Sequence, residues 1–254
     1  MAKPPPRLHV DAPLAGGAVP LARDQAHYLG TVLRLGPGAD ILLFNGRDGE
    51  WRAAVGDLTR KGGHADLTER TRAQTPTDGP ALLFAPLKKT STDLVVRMGT
   101  ELGAARFVPV LTARTQAERV KTDRLAVIAR EAAEQSERLD VPPVDAPRPL
   151  MDALAEAGPV LFCDEAGDDP GQRWGGGAGR GAPILAALSQ APAPAPAPRA
   201  VLVGPEGGFT PEERAAIRAH PGARAASLGP RILKAETAAA AALALWQAGI
   251  GDLS

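Results

Sequence analysis

Several residue types that often carry chemistry or crosslinks are scarce in this chain of 254 residues, which has one cysteine, four histidines and 4% aromatic residues. One cysteine cannot close an internal disulfide, and Cys163 with scattered histidines has no usual zinc-ligand spacing, so we expect no metal site. No window approaches the roughly 18 consecutive apolar residues of a membrane span, and the start MAKPPPRLHV lacks the apolar segment of a secretory signal. These absences favour a protein of the reducing cytoplasm with no membrane or metal partner.

The chain also lacks a net charge, since 29 basic residues balance 29 acidic ones. A protein that relies on bulk attraction to phosphates usually has an overall basic excess, so the total argues mildly against nucleic acid. The distribution is uneven, however. Residues 1–79 carry 10 basic and 9 acidic groups, residues 80–138 carry 10 and 7, and residues 139–254 carry 9 and 13. The N-terminal half can therefore present a basic face although the whole chain is neutral.

The composition, 44% hydrophobic and 23% charged, is that of an ordinary globular chain long enough to bury a large core. Proline and glycine are concentrated in two places. The stretch TRAQTPTDGP, Thr71 to Pro80, has no apolar periodicity and predicts a domain boundary, which divides the chain into residues 1–75 and 76–254. The stretch from about 166 to 199, with GQRWGGGAGRGAP and APAPAPAP, predicts a flexible surface insertion.

The first segment has mainly the pattern of β-strands. ILLF (residues 41–44) precedes a hairpin-type turn, NGRDG, and then EWRAAV, in which Trp51, Ala53 and Val55 alternate as on a half-buried strand. HADLTER follows another turn at Gly62-Gly63. A helix is predicted over DQAHYLGTVLRL, with Asp24 as its N-cap and one apolar stripe formed by Leu29, Val32 and Leu33. Short strands and one helix suggest a small β-barrel.

The second segment alternates strands with helices, which is typical of an α/β domain with a mostly parallel sheet. Predicted strands are ALLFAPL, RFVPVLT, PVLFCDE, RAVLVGP and ARAASLG. A helix over 91–102 should bury a stripe of Leu94, Val95, Met98 and Leu102, and further helices are predicted over 122–136 and from Lys234 onward. The helix in TPEERAAIRAH has a full capping box, because Thr210 is a good N-cap, Pro211 suits the first turn and Glu213 stands at the third position.

Two strand-to-helix connections are candidate ligand sites. VLVGPEGGFTPEE (201–213) joins an apolar strand to the capped helix through glycines, and SLGPRILKAET (227–237) joins the next strand to the last helix. Ligands of open α/β sheets bind beyond the carboxyl ends of strands. Arg231 and Lys234 precede a helix N-terminus, where cations are disfavoured, and so hint at an anionic partner. A tight connection and a solvated helix start are the simpler alternatives.

The motifs GPEGGFTPEE, LGPRILKAET and EAAEQSER, in this order, resemble the ribosomal RNA small subunit methyltransferase E family, which methylates N3 of uridine-1498 in 16S rRNA. The resemblance extends through AHYLGTVLRLGPGADILLFNG and LVVRMGTELGAARFVPVLTART and covers nearly the whole chain outside the insertion. It implies a PUA-like β-barrel followed by a SPOUT-type α/β methyltransferase domain with a C-terminal trefoil knot, which acts as a homodimer. It also implies S-adenosylmethionine as cofactor and 16S rRNA of the small ribosomal subunit as partner.

The residues that the resemblance assigns fall into three groups. The cofactor pocket would be formed by Leu202, Gly204, Glu206, Gly207, Gly208, Leu228, Gly229, Ile232 and Leu233. Catalytic candidates are Arg231, then Arg7, to stabilise charge on the uracil, and Glu206 as a possible base. RNA contacts would come from Arg7, Arg23, Arg34, Lys88, Lys89, Arg114 and Lys234.

The chain departs from the family pattern at a few positions. Lys234 replaces the usual arginine, which keeps the charge but loses the planar fork that suits phosphate, and Arg97-Met98 and Glu137 replace Gln-Lys and glycine. Three other functions are open: a SPOUT methyltransferase for another RNA site such as a transfer RNA ribose, a non-catalytic RNA-binding protein, and a nucleotide hydrolase. The full-length match disfavours another RNA site, and the two cofactor loops disfavour a non-catalytic protein. The missing phosphate-binding lysine motif disfavours a hydrolase.

Overall fold

The structure, a computed structural model, describes residues 4–116, 119–164, 181–189 and 197–253. The chain forms two compact units: Met1–Pro76 with Arg130–Val141, and Thr77–Ala129 with Pro142–Ser254. The sequence gives no indication that residues 130–141 rejoin the first unit. Most of the predicted Gly/Pro-rich insertion lies outside the described residues.

Five strands form the sheet of the first unit. They are β1 (Arg7–His9), β2 (Ala18–Leu21), β3 (Asp40–Phe44), β4 (Glu50–Thr59) and β5 (Gly62–Arg72), in the spatial order β1-β3-β4-β5-β2. Only β1 and β3 are parallel neighbours. Ala53 and Val55 are buried and Trp51 packs against the same core, so the predicted alternation is confirmed. This sheet corresponds to the β-rich first segment that the sequence predicts.

The predicted helix begins two residues earlier than expected. Helix α1 (Arg23–His27) has Ala22, not Asp24, as its N-cap. The side chain of Gln25 accepts a hydrogen bond from the backbone N–H of Ala22 at 2.9 Å and so makes the capping contact. Asp24 lies exposed in the first turn, where its charge still suits the helix dipole.

A π-helix (Tyr28–Val32) continues directly from α1. Its backbone bond from Leu33 N–H to the Tyr28 carbonyl spans five residues, so the turn is wider than an α-turn. This change of phase leaves Leu29 buried but Val32 59% exposed. The predicted stripe was therefore wrong at Val32.

Arg7 on β1 holds residues 130–141 in the first unit, at the end of helix α3 (Thr122–Gln135). Its guanidinium pairs with Glu50 at 2.7 Å, and both side chains are at most 7% exposed. Its remaining N–H groups donate to the carbonyls of Ala133, Glu134 and Arg138 at 2.8–3.2 Å. Since the last carbonyls of a helix have no partner within it, this arginine completes the helix end.

The sheet of the second unit has seven parallel strands. The strands are β6 (Ala81–Phe84), β7 (Arg106–Leu111), β8 (Arg148–Pro149), β9 (Val160–Cys163), β10 (Ala182–Pro183), β11 (Ala200–Val203) and β12 (Ala223–Ser227). Their order is β10-β12-β9-β11-β6-β7-β8. Every residue of β11 is buried, as expected for a sheet covered on both faces. The predicted α/β architecture is confirmed, and the knot stays a prediction.

The helices of this unit, besides the first part of α3, are α2 (Lys89–Glu101), α4 (Leu150–Ala157), α5 (Ile184–Ser189), α6 (Pro211–Ala219) and α7 (Ala235–Ile250). The buried stripe of α2 is Thr92, Val95, Val96, Gly99 and Thr100. The predicted stripe was therefore wrong except for Val95. Small residues let α2 approach its neighbours, since a Cβ on Gly99 would lie 2.6 Å from the Phe107 ring. The buried Thr100 hydroxyl is satisfied by the Val96 carbonyl at 2.8 Å.

Part of the range predicted as an insertion is regular structure. Strand β10 pairs with β12, and helix α5 follows it immediately. Ile184 and Leu188 are buried, at 4% exposure each. The apolar run PILAAL between the Gly-rich and Pro-rich tracts supplies a buried face, which explains why residues 181–189 join the core.

The buried Arg7–Glu50 pair should control the stability of the first unit. Replacement Arg7→Ala leaves a buried carboxylate and three carbonyls without this donor, so we expect a loss of about 3–5 kcal/mol in the free energy of unfolding. Arg52→Ala removes the exposed pairs with Asp40 and Glu69 and should cost about 0–1 kcal/mol. Urea unfolding followed by circular dichroism measures both, and equal losses would contradict the structural role of Arg7.

Candidate active site

A pocket opens where three neighbouring strands end at the same edge of the sheet. Strands β12, β9 and β11 are adjacent and parallel, so their carboxyl ends lie side by side. The connection from β11 to α6 and the connection from β12 to α7 form two of its walls. Ligands of open α/β sheets bind in this position.

The two connections identified from the sequence meet in this pocket. Its lining contains Gly204, Gly207 and Gly208 from the first connection and Leu228, Gly229, Arg231, Ile232 and Leu233 from the second. Two residues predicted with them do not line it. Leu202 is fully buried inside β11, and Glu206 is exposed in the first connection.

Glycine is required at two positions of these walls. A Cβ on Gly204 would lie 2.6 Å from the ring of Phe209, so a larger residue would displace that ring. Gly229 has φ +106°, a backbone conformation that other residues adopt only with strain. Both connections can therefore bring their backbone close to a ligand.

Asp164, directly after β9, is a buried carboxylate that sequence analysis did not single out. It is 3% exposed and accepts hydrogen bonds from Arg214 at 2.8 and 3.0 Å and from Arg218 at 2.7 and 3.2 Å. The two arginines are one turn apart on α6, so the carboxylate fixes that helix to the end of β9. A charged residue at the end of the apolar run PVLFC was the available sign of this role.

The segment after β7 reaches the first connection. Arg114 donates to the carbonyl of Gly207 at 2.6 Å and lines the pocket. The backbone N–H of Ala113 donates to Glu213 at 2.7 Å. Arg114 was predicted to bind RNA, but its hydrogen bond to Gly207 places it in the wall of the pocket.

The capping box that begins α6 is confirmed and has a second task. The Thr210 hydroxyl accepts from the Glu213 N–H at 3.2 Å, and the Thr210 N–H donates to the Glu213 carboxylate at 2.9 Å. Because the other oxygen of that carboxylate accepts from Ala113, the same glutamate joins the helix start to the segment after β7. The first wall of the pocket is therefore bound to the segment after β7 through Glu213 and to the end of β9 through Asp164.

Cys163 lies at the end of β9 and lines the pocket. Burial raises the pKa of its thiol to about 12. The thiol is therefore protonated at neutral pH and is a poor nucleophile.

The other predicted site residues lie outside this pocket. Arg7 belongs to the first unit, where its guanidinium is bound by Glu50 and three backbone carbonyls. The remaining predicted RNA contacts are exposed; they are Arg23, Arg34, Lys88, Lys89 and Lys234. The pocket thus gathers Arg231 and the cofactor loops, but it does not include Arg7.

Metal-binding clusters and membrane-spanning helices are both absent from the described part of the chain. No group of three or more histidine, cysteine, aspartate and glutamate side chains is placed to hold a metal ion there. No helix among those residues is both long and apolar enough to cross a membrane.

Comparisons with known proteins agree with this architecture. The family profile of the RNA methyltransferase domain matches residues 77–247, and that of the RNA methyltransferase PUA domain matches residues 21–68. Ribosomal RNA small subunit methyltransferase E of Rickettsia conorii is 31% identical over 94% of this chain and 93% of its own length. The protein of the same name from Synechocystis is 38% identical over 89% of this chain and 71% of its own length.

A solved structure extends the similarity to the whole fold. The crystal structure of a ribosomal RNA small subunit methyltransferase E from Neisseria gonorrhoeae, bound to S-adenosylmethionine, is 27% identical. It covers 98% of this chain and 100% of its own, with a TM-score of 0.78. The seven-stranded parallel sheet and the N-terminal unit therefore have counterparts in a methyltransferase that binds this cofactor.

The raised pKa of Cys163 makes a direct prediction about its reactivity. With a pKa of about 12, only about one thiol in 10,000 is ionised at pH 8, compared with a sizeable fraction of an exposed cysteine. We expect alkylation by iodoacetamide at pH 8 to be roughly 1,000-fold slower in the folded protein than in guanidinium chloride. Intact-mass spectrometry over time measures both rates, and similar rates would show that the thiol is not protected.

Proposed function

This chain belongs to the RNA methyltransferase family that includes ribosomal RNA small subunit methyltransferase E, and on that premise we propose that it methylates N3 of one uridine in 16S rRNA, uridine-1498. S-adenosylmethionine is the methyl donor. The observation that carries the proposal is the single pocket formed by both glycine-containing connections at the strand ends. The family assignment comes from the matched domains and relatives.

The pocket suits the cofactor chemically. Leu228, Ile232 and Leu233 offer apolar contact for an adenine ring, while backbone groups of the Gly204 and Gly229 connections offer hydrogen bonds to its edge. Arg114 adds positive charge near a pocket that would also hold the carboxylate of the methionine moiety. When bound, the cofactor supplies an electrophilic methyl group on a sulfonium.

The work of the protein's own residues is then to position the acceptor and to stabilise its charge. Uracil N3 carries a proton that must leave before or during methyl transfer, and negative charge then develops on the uracil oxygens. Arg231 is exposed at the pocket and can stabilise that charge. Arg7, the second candidate, is less suited because its donors are already used inside the first unit.

The two carboxylates near the pocket differ in how well they can accept the N3 proton. Asp164 already accepts four hydrogen bonds from two arginines, so its oxygens are occupied. Glu206 is exposed in the neighbouring connection, so it stays our candidate for accepting the proton, directly or through water. No histidine lines the described pocket.

The RNA would reach this pocket across exposed basic side chains. Lys88 and Lys89 at the start of α2 and Lys234 at the start of α7 are exposed and belong to the same unit as the pocket. Phosphate contacts of this kind predict RNA binding that weakens steeply as salt is added. An rRNA substrate places the reaction in the cytoplasm, and we expect a homodimer to carry it out.

The direct test of the proposed function is the modification state of 16S rRNA. In cells that lack this protein, nuclease digestion and mass spectrometry should find that the N3-methyluridine has disappeared. Wild-type protein should restore it, and persistence of the modified base in the deletion strain would refute the assignment.

A matched pair of variants links that activity to the pocket. Leu228→Glu places a charge in the apolar wall and should abolish restoration, together with S-adenosylmethionine binding in calorimetry. Leu253→Glu, at a side chain that is 67% exposed, should restore the base as the wild type does.

Arg231→Ala tests the role of the exposed guanidinium. Loss of a group that stabilises charge in the transition state should lower kcat by about 100- to 1,000-fold, with S-adenosylmethionine affinity unchanged. Arg231→Lys should recover part of the rate. A raised KM with unchanged kcat would instead identify Arg231 as an RNA contact. Arg97→Ala, which removes an exposed pair with Glu101, is the control for loss of one surface arginine.

A further inference from the structure

A tight turn follows β7 and lies against the first connection, which runs from β11 to α6. Two threonines close this turn. The backbone N–H of Thr112 donates to the Thr115 hydroxyl at 2.9 Å, and the N–H of Thr115 donates to the Thr112 carbonyl at 3.1 Å. The two hydroxyls share a further hydrogen bond at 3.0 Å. Ala113 and Arg114 therefore stand at the tip of a turn that its own threonines hold in shape.

Both residues at the tip bind the wall of the pocket. The Arg114 guanidinium donates to the Gly207 carbonyl at 2.6 Å, and the Ala113 N–H donates to the Glu213 carboxylate at 2.7 Å. The stem of the arginine also lies along Gly207, because a Cβ on that glycine would lie 3.5 Å from the Cδ of Arg114. We call these two hydrogen bonds, Arg114 to Gly207 and Ala113 to Glu213, the clamp.

The clamp helps to fix one peptide group of the first connection at both of its ends. The Gly207 carbonyl is bound by Arg114, while the N–H of the same peptide, which belongs to Gly208, donates to the Pro205 carbonyl at 2.8 Å. Rotation of this peptide would break both hydrogen bonds, and each broken bond would cost free energy. The backbone of the pocket wall is therefore kept in one orientation.

Glu213 takes part in the clamp although it is not among the residues that line the described pocket. One of its oxygens accepts from Ala113, and the other accepts from the Thr210 N–H at 2.9 Å. A glutamine at this position would keep the capping box, because its single oxygen can still accept from Thr210. Its amide nitrogen cannot accept from Ala113. The clamp can therefore be opened at one point without a change in the pocket lining.

We propose that Arg114 and Glu213 are positioning residues for the methyl donor, which act by holding the first connection in its ligand-binding shape. The proposal rests on the proposed function, since it explains how that pocket gains affinity for S-adenosylmethionine. A connection that is already held in the bound shape has less conformational entropy to lose on binding. Part of the affinity then comes from the clamp and not from direct contact with the ligand.

The first test opens the clamp at Glu213 in the full-length protein and measures donor affinity by calorimetry. Glu213→Gln should weaken S-adenosylmethionine binding about 5-fold, because one hydrogen bond of the clamp is lost. Glu212→Gln removes the same charge from the adjacent, exposed residue and should bind as the wild type does. Unchanged affinity in Glu213→Gln, or an equal loss in Glu212→Gln, would overturn the proposal.

The second test uses two ligands to separate positioning by Arg114 from direct contact. Methylthioadenosine keeps the adenosine part and a methylthio group of S-adenosylmethionine but lacks its carboxylate and its sulfonium charge. Arg114→Ala should weaken both ligands by the same factor, about 10-fold, since the proposed pocket uses the first connection for the adenine edge. Arg97→Ala, the surface control, should change neither affinity. A loss for S-adenosylmethionine alone would identify a direct contact to the methionine carboxylate and overturn the positioning role.

Kinetics should show the same division. In methyl transfer to 30S particles, both clamp variants should have a KM for S-adenosylmethionine that is raised by the factors above, while kcat changes by less than about 3-fold. Arg114→Lys, which can still donate to the Gly207 carbonyl, should recover part of the affinity. Affinity for a 16S rRNA transcript should stay unchanged in Arg114→Ala. A loss of RNA affinity with unchanged donor affinity would return Arg114 to RNA contact and overturn the proposal.

The wild-type protein keeps the two hypotheses apart. A wild type that binds S-adenosylmethionine but leaves 30S particles unmethylated would refute the proposed function, and the affinities of the variants would still decide on the clamp. An active wild type together with clamp variants of full donor affinity would refute the clamp alone.

Discussion

The carboxylate of Asp164 holds the parts of the pocket in place. It is buried at the end of β9, where an unpaired charge would cost several kcal/mol, so its two arginines from α6 must stay in contact with it. That constraint fixes the helix that follows the Gly204–Gly208 connection. Glu213 on the same helix and Arg114 from the segment after β7 then fix the connection itself. The irregular backbone of this connection can therefore remain open to a ligand, because charged side chains bind its polar groups at Gly207 and Thr210.

The arginines of the chain fall into two groups. Arg7, Arg214 and Arg218 are bound to buried carboxylates and contribute to the fold rather than to an external field. Arg231 and Arg34 are exposed and have no ion-pair partner among the described residues. A protein with equal numbers of acidic and basic residues can still bind an anionic polymer locally, because individual exposed cations such as these two are not paired with acidic side chains. The total charge of zero was a weak argument against nucleic acid for this reason.

Local patterns in the sequence were enough to predict most strands and the start of α6, because alternation along β4 and the Thr210–Glu213 box act over a few residues. Contacts between distant residues were not predictable in this way. Arg7 meets the end of α3 more than 120 residues away, and Asp164 meets Arg214 across 50 residues. The buried face of α2 was not predicted because Thr92, Gly99 and Thr100 on it are not large apolar residues. They are buried because small residues let the helix pack closely against neighbouring elements. The two pocket connections were identified as candidate ligand sites from their strand-to-helix pattern, and their cofactor role came from the family resemblance. Asp164 behind them needed the structure.

The chemistry of the pocket favours one kind of catalysis. A thiol lies in its lining, but a pKa of about 12 keeps Cys163 protonated, so a covalent route through a thiolate is disfavoured. Asp164 is occupied by its two arginines, and the described lining offers no histidine as a general base. Transfer of a methyl group from a sulfonium to a ring nitrogen needs neither a covalent intermediate nor a strong base if donor and acceptor are held in line. Rigid connections, an apolar wall and the exposed guanidinium of Arg231 supply alignment and charge stabilisation, which are the contributions that such a transfer requires.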